Sequence, residues 1–321
     1  MSLCVVIINA YYPHYEVEKE ILAPFGASVS HVVTGNDLDK TIEAARFADA
    51  IMTRETELPK QLIDELQNCK VIVRYGVGVD NIDLDAAARR KIYVANVKDY
   101  GTETVAEHAV ALMFAVGRRI VTRDAKVRAG TWDVGASEPI YSFVGKTVGI
   151  IGCGKIGRAF LKKVSALGFK RMLAYDPFID IEECEDLEIT DLDTLLKESD
   201  VISLHAPLTN ETRHIINKDR LAKMKPNAIL INTSRGGLVD EESLVKALRE
   251  NRIFGAGIDV FETEPPPITH PYFELENVVV SDHTGWYSAE SLEKLQRKAA
   301  EEVARVFSNQ EPLSWVNRWK E

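Results

Sequence analysis

The sequence predicts an α/β fold made of two doubly wound parallel-sheet domains. Three observations carry this expectation. An apolar strand, a glycine-rich turn and a helical pattern follow one another over residues 146–167. Residues 1 to about 98 alternate short apolar runs with helical segments. Between 171 and 283 a second series of apolar runs appears, and each ends on a polar residue. Strands of a parallel sheet are covered by helices on both faces, so they read as near-continuous apolar runs.

Taken in order, residues 3–8 are a fully apolar strand, and a helix over 16–22 stops at Pro24. Residues 28–33 alternate like a strand, and Asp37 is placed to cap a helix reaching about Ala48. Residues 50–53 form a short strand, and 59–66 a helix with proline at its start. Residues 71–74 form a strand that runs into Tyr75-Gly-Val-Gly-Val-Asp80; 83–90 are helical and 92–96 a strand. A long helix follows. Thr104 is its expected cap, with Glu107 completing a capping box, and Val105, Ala109, Leu112, Met113 and Val116 recur at helical spacing to about Ile120. Residues 124–141 read as irregular and carry Trp132.

The central stretch runs Lys146-Thr-Val-Gly-Ile-Ile151, then Gly152-Cys-Gly-Lys-Ile-Gly157, then a helix whose Ile156, Ala159, Phe160, Val164 and Leu167 share one face and whose end is marked by Gly168. A second strand, 171–175, ends at Asp176. Gly152 permits the sharp turn, Gly154 lets a pyrophosphate approach the backbone, and Gly157 lets helix and strand pack closely, with the helix N-terminus facing the phosphates. Asp176 lies 19 residues past Gly157, where a carboxylate accepts hydrogen bonds from an adenosine ribose and repels a 2′-phosphate. The expected cofactor is therefore NAD. A bare GxGxxG arises by chance in roughly one chain in ten of this length, given glycine near 7%. The strand, the helix and the distant acid are separate conditions that make the signal specific.

Residues 180–191 are acidic and poorly patterned, and 192–197 form a short helix. Strands follow at 201–204, 228–231, 255–258 and 278–280. They end respectively at His205-Ala-Pro-Leu-Thr209, at Asn232-Thr-Ser-Arg-Gly-Gly237, at Asp259, and at Asp282-His283. A capped helix spans 240–250, Glu264 precedes Pro265-Pro-Pro267, and a final helix runs over about 289–307.

At 321 residues the chain accommodates two domains with separate cores. It carries 39 basic and 49 acidic residues, a net charge of −10, and no basic block, which argues against nucleic acid as a partner. Cys4, Cys69, Cys153 and Cys184 show no CxxC or metal-ligand spacing, so no metal is expected and a reducing, cytoplasmic compartment fits. The N-terminus reads as a strand rather than a signal peptide, and no apolar run approaches the ~20 residues of a membrane helix.

Ligands of open α/β sheets bind outside the carboxyl ends of the strands. Asp176, His205, Thr233, Ser234, Arg235, Asp259 and His283 gather at those ends, with Glu264 just beyond one of them. Arg235, Glu264 and His283 form a chemically coherent set. An arginine grips a carboxylate bidentately and polarises a neighbouring carbonyl, a histidine passes a proton near neutral pH, and a carboxylate against that histidine fixes its tautomer. With a nicotinamide, the implied reaction is hydride transfer between NAD(H) and a 2-hydroxy or 2-oxo acid. Each residue also has a plainer reading. Arg235 can pair with Asp240, Glu264 can be a solvated loop acid, and His283 can cap a strand end. His205 can be a second acid or a loop residue beside the cofactor, and Trp286 is most simply core.

The sequence resembles the D-isomer-specific 2-hydroxyacid dehydrogenases over nearly its whole length. The resemblance rests on Val71-Ile-Val-Arg-Tyr-Gly-Val-Gly-Val-Asp-Asn-Ile-Asp83, Val105-Ala-Glu-His108, the Gly152–Gly157 fingerprint with Asp176, and His205-Ala-Pro-Leu208. It continues through Asn232-Thr-Ser-Arg-Gly-Gly237, Gly257-Ile-Asp-Val260, Glu264-Pro265 and His283-Thr-Gly-Trp286. It implies a Rossmann NAD-binding domain, 100–285, inserted in a flavodoxin-like substrate domain, 1–99 plus 286–321, with the active site in a cleft between them. By carry-over, Arg235, Glu264 and His283 are catalytic. The cofactor set becomes Thr104, Gly152, Gly154, Lys155, Ile156, Asp176, His205, Ala206, Pro207, Thr212, Thr233, Ser234, Arg235, Asp259, His283 and Gly285. The substrate set becomes Arg74, Tyr75, Gly76, Val77, Gly78 and Trp286, with the N–H groups around Val77 and Gly78 holding the substrate carboxylate. The helix at 103–120 is implied in a homodimer.

Within the family, phosphoglycerate dehydrogenases usually carry Ile or Leu and then Gly-Ala after the active-site histidine. Here His283-Thr-Gly-Trp-Tyr-Ser288 and Arg74 are more similar to the C-terminal-binding-protein co-repressors and their bacterial relatives. On that resemblance Trp286 is a pocket wall and Arg74 a second carboxylate ligand, and an indole wall favours an apolar or thioether side chain on the oxo acid. Gly101 stands where those proteins have a small hydroxyl residue, and Thr104 is the nearby substitute. The expected function is an NAD-dependent D-2-hydroxyacid dehydrogenase. The alternatives are an NAD(H)-sensing dimeric binding protein of co-repressor type and a 3-phosphoglycerate dehydrogenase. The absence of a disordered partner-binding tail after the last helix favours the enzyme.

Overall fold

A computed structural model describes residues 3–133, 138–179 and 187–319. Cys184, residues 180–186 of the acidic stretch and residues 134–137 of the segment expected to be irregular lie outside these. The chain divides into two units, one of Met1–Gly101 with Ser288–Glu321 and one of Thr102–Tyr287.

The first unit begins with β1 (Cys4–Ile8), α1 (Glu16–Leu22) and β2 (Ser28–Val32). It continues through α2 (Leu38–Ala45), β3 (Ala50–Thr53), α3 (Lys60–Glu65), β4 (Val71–Arg74), α4 (Leu84–Arg89) and β5 (Tyr93–Asn96). The five strands are parallel in the order β2-β1-β3-β4-β5, which is flavodoxin-like. The expected caps are present: Asp37 accepts from Lys40 N at 3.1 Å and Asp83 from Ala86 N at 2.8 Å. Every residue of β3 and β4 is buried, as a sheet covered on both faces requires.

The second unit opens with α5 (Thr102–Gly117), α6 (Ile120–Arg128) and β6 (Thr147–Ile151), then α7 (Lys155–Val164), β7 (Arg171–Tyr175), β8 (Glu188–Ile189), α8 (Leu192–Glu198) and β9 (Val201–Leu204). It closes with α9 (Lys218–Leu221), β10 (Ile229–Asn232), α10 (Glu241–Arg249), β11 (Gly255–Ile258) and β12 (Val278–Val280). Its seven parallel strands run β12-β11-β10-β9-β6-β7-β8. Counted from β6, this is the doubly wound dinucleotide-binding order with one strand added, and the order reverses between β6 and β9. The chain then returns to the first unit through α11 (Ala289–Phe307), capped by Ser288 and Ser291 in a reciprocal box.

Two expectations of this region are corrected. The long helix starts at Thr102, so Thr104 lies inside its first turn instead of capping it. The helix also ends at Gly117, where Arg119 takes a left-handed φ of 51°, and residues 120–128 form the separate helix α6 in part of the stretch expected to be irregular. Helix α6 buries no residue, so it has no apolar face for the sequence pattern to reveal.

Candidate active site

The glycine turn behaves mechanically as its spacing implies. Gly152 has φ 95°, and a Cβ there would lie 2.6 Å from the backbone of His205 and Ala206, so the turn leans on the end of the neighbouring strand β9. A Cβ on Gly157 would overlap the Gly152 carbonyl oxygen, which is why the first turn of α7 packs so closely on the loop. Nothing lies within 4 Å of a Cβ built on Gly154, and Lys155 beside it is exposed. The loop therefore presents open space at the N-terminus of α7, the place where helix N–H groups receive an anion. Asp176 ends β7 with one carboxylate oxygen accepting from Cys153 N at 2.8 Å and the other from Phe178 N at 2.9 Å. It thus faces the glycine turn with lone pairs left over for two hydroxyls.

Across the point where strand order reverses, buried polar atoms stand without partners. Both ring nitrogens of His205 and the Thr233 hydroxyl are out of solvent and make no hydrogen bond. Some of His205 remains exposed, but its nitrogens do not, and it is the nitrogens that titrate. Burial pushes its pKa down to about 3, so the ring is neutral at physiological pH. This removes the reading of His205 as a second acid. Orphaned buried donors and acceptors are costly unless a ligand satisfies them, and with the open cradle at Gly154 and the carboxylate of Asp176 they fit a dinucleotide.

Neighbouring groups are tied into the loops. Ser234 Oγ donates to Leu204 O at 2.8 Å, and Thr212 Oγ1 donates to Pro207 O at 2.6 Å, which folds the segment after Ala206 back on itself. Ile156 and Thr104 are half-buried on α7 and α5.

Strands β10, β11 and β12 are neighbours, so Arg235, Asp259 and His283 leave adjacent C-terminal ends. His283 Nδ1 lies 2.6 Å from Glu264 Oε2, and Glu264 Oε1 accepts from Phe261 N at 2.9 Å. A carboxylate only accepts, so Nδ1 carries the hydrogen and Nε2 is left for the substrate. The Nη1 of Arg235 donates to Ser234 O at 2.8 Å, and its own carbonyl accepts from Asn232 Nδ2 at 2.9 Å. Asp240 is occupied in capping α10, accepting from Ser243 N at 3.1 Å and Ser243 Oγ at 2.9 Å.

Asp259 is only 1% exposed and anchors the loop that carries His283. Its backbone carbonyl accepts from His283 N at 2.8 Å, Oδ1 from Thr284 N at 3.0 Å, and Oδ2 from Gly285 N at 2.9 Å. Three successive N–H groups thus converge on one residue, with His283 held at a left-handed φ of 55°. Ser281 Oγ donates to Asp259 Oδ1 at 2.6 Å and stands 2.8 Å from His108 Nε2 on α5. Burial opposes ionisation of Asp259, but the donors His108, Ser281 and Gly285 outweigh it and hold its carboxyl below the ordinary aspartate range. The sequence reading missed the roles of His108 and Ser281. His108 stood within the quoted Val105–His108 motif, but nothing in its spacing pointed to a strand end some 150 residues away.

In the first unit the loop after β4 holds the other candidates. The Tyr75 side chain turns inward, 1% exposed, and its hydroxyl donates to Glu18 Oε1 at 2.7 Å, so as a side chain it is corrected from substrate ligand to core. Arg74 is also buried. Its Nε donates to Arg54 O at 3.0 Å and its Nη2 to Glu55 Oε1 at 2.7 Å. Gly76 has φ 141°, and a Cβ there would overlap the Arg74 guanidinium. Among the described residues the N–H groups of Val77 and Gly78 meet no acceptor, and Val77 is half exposed. Trp286, in the second unit, is half-buried rather than core, its ring edge-on to Tyr287 at 5.5 Å.

A cavity of about 410 Å³ lies against α6, lined in part by Arg123, Lys126, Val127 and Trp132, and no candidate site residue borders it. Among the described residues no three His, Cys, Asp or Glu side chains are placed to hold a metal, and no helix is long and apolar enough to cross a membrane.

The sequence model of the D-isomer specific 2-hydroxyacid dehydrogenase NAD binding domain matches residues 110–285. The chain belongs to that family. It is 43% identical over 286 residues to a glyoxylate reductase of Thermococcus litoralis, covering 86% of each chain. It is 40% identical over 314 residues to a D-3-phosphoglycerate dehydrogenase of Mycobacterium tuberculosis, covering 97% of this chain and 58% of that one. It superposes with a TM-score of 0.86 on D-lactate dehydrogenase from Aquifex aeolicus complexed with NAD and lactic acid, at 29% identity over 95% of this chain and 96% of the other. This dehydrogenase is an NAD-dependent oxidoreductase acting on D-2-hydroxy acids. The similarity to co-repressors seen at Arg74 and Trp286 has no counterpart in these relatives' names.

Proposed function

We propose that the enzyme reduces small 2-oxo acids with NADH, or runs the reverse oxidation, with His283 as acid/base, Glu264 as its partner and Arg235 as carboxylate ligand and carbonyl polariser. The observation that carries this reading is the 2.6 Å pair between His283 Nδ1 and Glu264 Oε2, which leaves Nε2 to deliver the proton. The bound nicotinamide supplies the hydride. The free N–H groups of Val77 and Gly78 take the substrate carboxylate, and Trp286 forms a wall against its side chain. The second unit holds the cofactor through the glycine turn, Asp176, and the orphaned His205 and Thr233. The N–H groups of Lys155 and Ile156 face its phosphates, and Ala206, Pro207, Thr212, Ser234, Asp259 and Gly285 border it. Thr104 lies beside it. The first unit carries the substrate loop. The enzyme acts as a homodimer through the α5 region. It works in a reducing, cytoplasmic compartment, a reading supported by the thiols of Cys4 and Cys69, which form no disulfide among the described residues.

The test is NADH oxidation at 340 nm against glyoxylate, pyruvate, hydroxypyruvate, phenylpyruvate and 4-methylthio-2-oxobutyrate. Saturable turnover of at least one acid is expected, with the D-hydroxy acid as product. Tight NADH binding without turnover across the panel would count against the enzyme and for an NAD(H)-dependent binding protein.

A further inference from the structure

Strands β3 and β4 are neighbours in register, with Thr53 opposite Arg74, so the residues that follow them share one corner of the sheet. Three charged side chains meet there. Glu55 Oε1 accepts from Arg74 Nη2 at 2.7 Å and lies 3.7 Å from Arg54 Nε, while Arg74 Nε is spent on the Arg54 carbonyl. The Arg74 guanidinium rests on the Cα of Gly76, immediately before the free N–H groups of Val77 and Gly78. A substrate held by those N–H groups therefore lies beside a buried arginine whose charge is already shared with a carboxylate.

Two arginines at the end of a sheet would by themselves suit a doubly charged anion. A phosphate ester carries about −1.5 to −2 near neutral pH. Glu55 offsets half of the pair's positive charge and occupies the donor that would otherwise meet a phosphate oxygen. The carboxyl of Glu57 is pushed above the usual glutamate range by burial and then by Asp80 and Glu55.

Resting on the dehydrogenase reading above, we propose that Glu55 determines the substrate class. It discriminates against 2-oxo acids that bear a phosphate ester and leaves the enzyme to small 2-oxo acids whose only strong negative charge is the carboxylate. Repulsive elements of this kind set specificity as effectively as attractive ones. Glu55 acts through Arg74 and through its own charge and touches no reacting atom. It is a specificity-determining residue, not a catalytic one.

The experiment compares hydroxypyruvate with 3-phosphohydroxypyruvate, which differ only by the phosphate, in the full-length enzyme and its Glu55→Gln and Glu55→Asp variants. The ratio of the two kcat/KM values is read within each protein, so a general loss of activity cancels. The wild type should favour hydroxypyruvate by at least about tenfold. Glu55→Gln should shift the ratio toward the phosphate ester by about tenfold or more, and Glu55→Asp should hold it within about threefold of wild type. A wild-type preference for the phosphate ester, or a ratio unmoved in Glu55→Gln, overturns the proposal. If neither acid is turned over while another acid of the panel is, the dehydrogenase reading stands and the kinetic ratio is undefined; turnover of no acid at all is what counts against that reading. The Glu55 proposal is then decided on the same variants by the relative binding of D-glycerate and 3-phosphoglycerate to the NADH complex, read from NADH fluorescence, with the same shift expected and an unmoved ratio overturning it.

Discussion

His283 is held by three constraints at once. Its φ is 55°, its N–H is bound to the Asp259 carbonyl, and its Nδ1 is taken by Glu264. A left-handed backbone at a non-glycine residue costs about 1–3 kcal/mol, and it persists where surrounding bonds over-determine it. With the ring so fixed, Glu264→Gln should lower kcat by about a hundredfold while NADH affinity changes little, measured by steady-state kinetics beside fluorescence titration. His205 behaves differently. Its folded pKa, about 3, lies below its unfolded value, so its neutral form stabilises the fold above the unfolded pKa and that stability is lost as pH falls toward the folded one. Between about pH 6 and pH 4 this one ring should steepen the loss of stability by ~1.4 kcal/mol per pH unit, and His205→Phe should flatten thermal unfolding over that range. The residue types at both positions were legible from the sequence, because they stand at strand ends in a fixed order. Their protonation was not, since burial of a ring nitrogen depends on neighbours such as Phe160, whose ring lies tilted against His205 with centroids 5.3 Å apart, from an element 45 residues away.

The segment from Ser281 to Gly285 draws its shape from Asp259, which receives the N–H groups of 283, 284 and 285. Asp259→Asn would turn one accepting oxygen into a donor facing those groups. The expected result is a kcat lowered by about tenfold or more together with a loss of ~1–3 kcal/mol in stability, read from kinetics and denaturant unfolding of the same preparation. In the first unit, α1, α11 and β4 meet on the fully buried Glu18, which accepts from Tyr75 and from Gln296 Nε2 at 3.2 Å. Burial raises the pKa of Glu18, so its stabilisation is complete below the ordinary glutamate pKa and is lost as pH rises through the raised one. Glu18→Gln should therefore remove part of the drop in unfolding temperature as pH rises above the ordinary glutamate range. Most helices and strands with a buried face were readable from periodicity. Helix α6, the four-residue helix α9 and the two-residue strand β8 were not, because α6 buries nothing, α9 buries only Leu221, and β8 pairs with β7 over two residues.

Within each unit the strand order, β2-β1-β3-β4-β5 in the first and β12-β11-β10-β9-β6-β7-β8 in the second, sets that sheet's polar strand ends side by side. The alternation of apolar runs made the parallel sheets legible, and the glycine spacing made the order reversal beside β6 legible as a cofactor site. What the sequence could not convey was the direction of side chains in the loop after β4, where Tyr75 turned into the core and Arg74 onto Glu55. Those directions depend on partners 19 and 57 residues away. At the cofactor site, Asp176→Ala should weaken NADH binding about tenfold and NADPH binding less; an unchanged preference would remove Asp176 as the ribose ligand. The proposed reaction rests on His283 delivering a proton in an NADH-dependent reduction. The most direct test is the rate of NADH oxidation at saturating 2-oxo acid in wild type and His283→Gln, with NADH affinity measured on both. A kcat lowered by about a thousandfold at unchanged NADH affinity is the predicted result, and an unchanged kcat would contradict it.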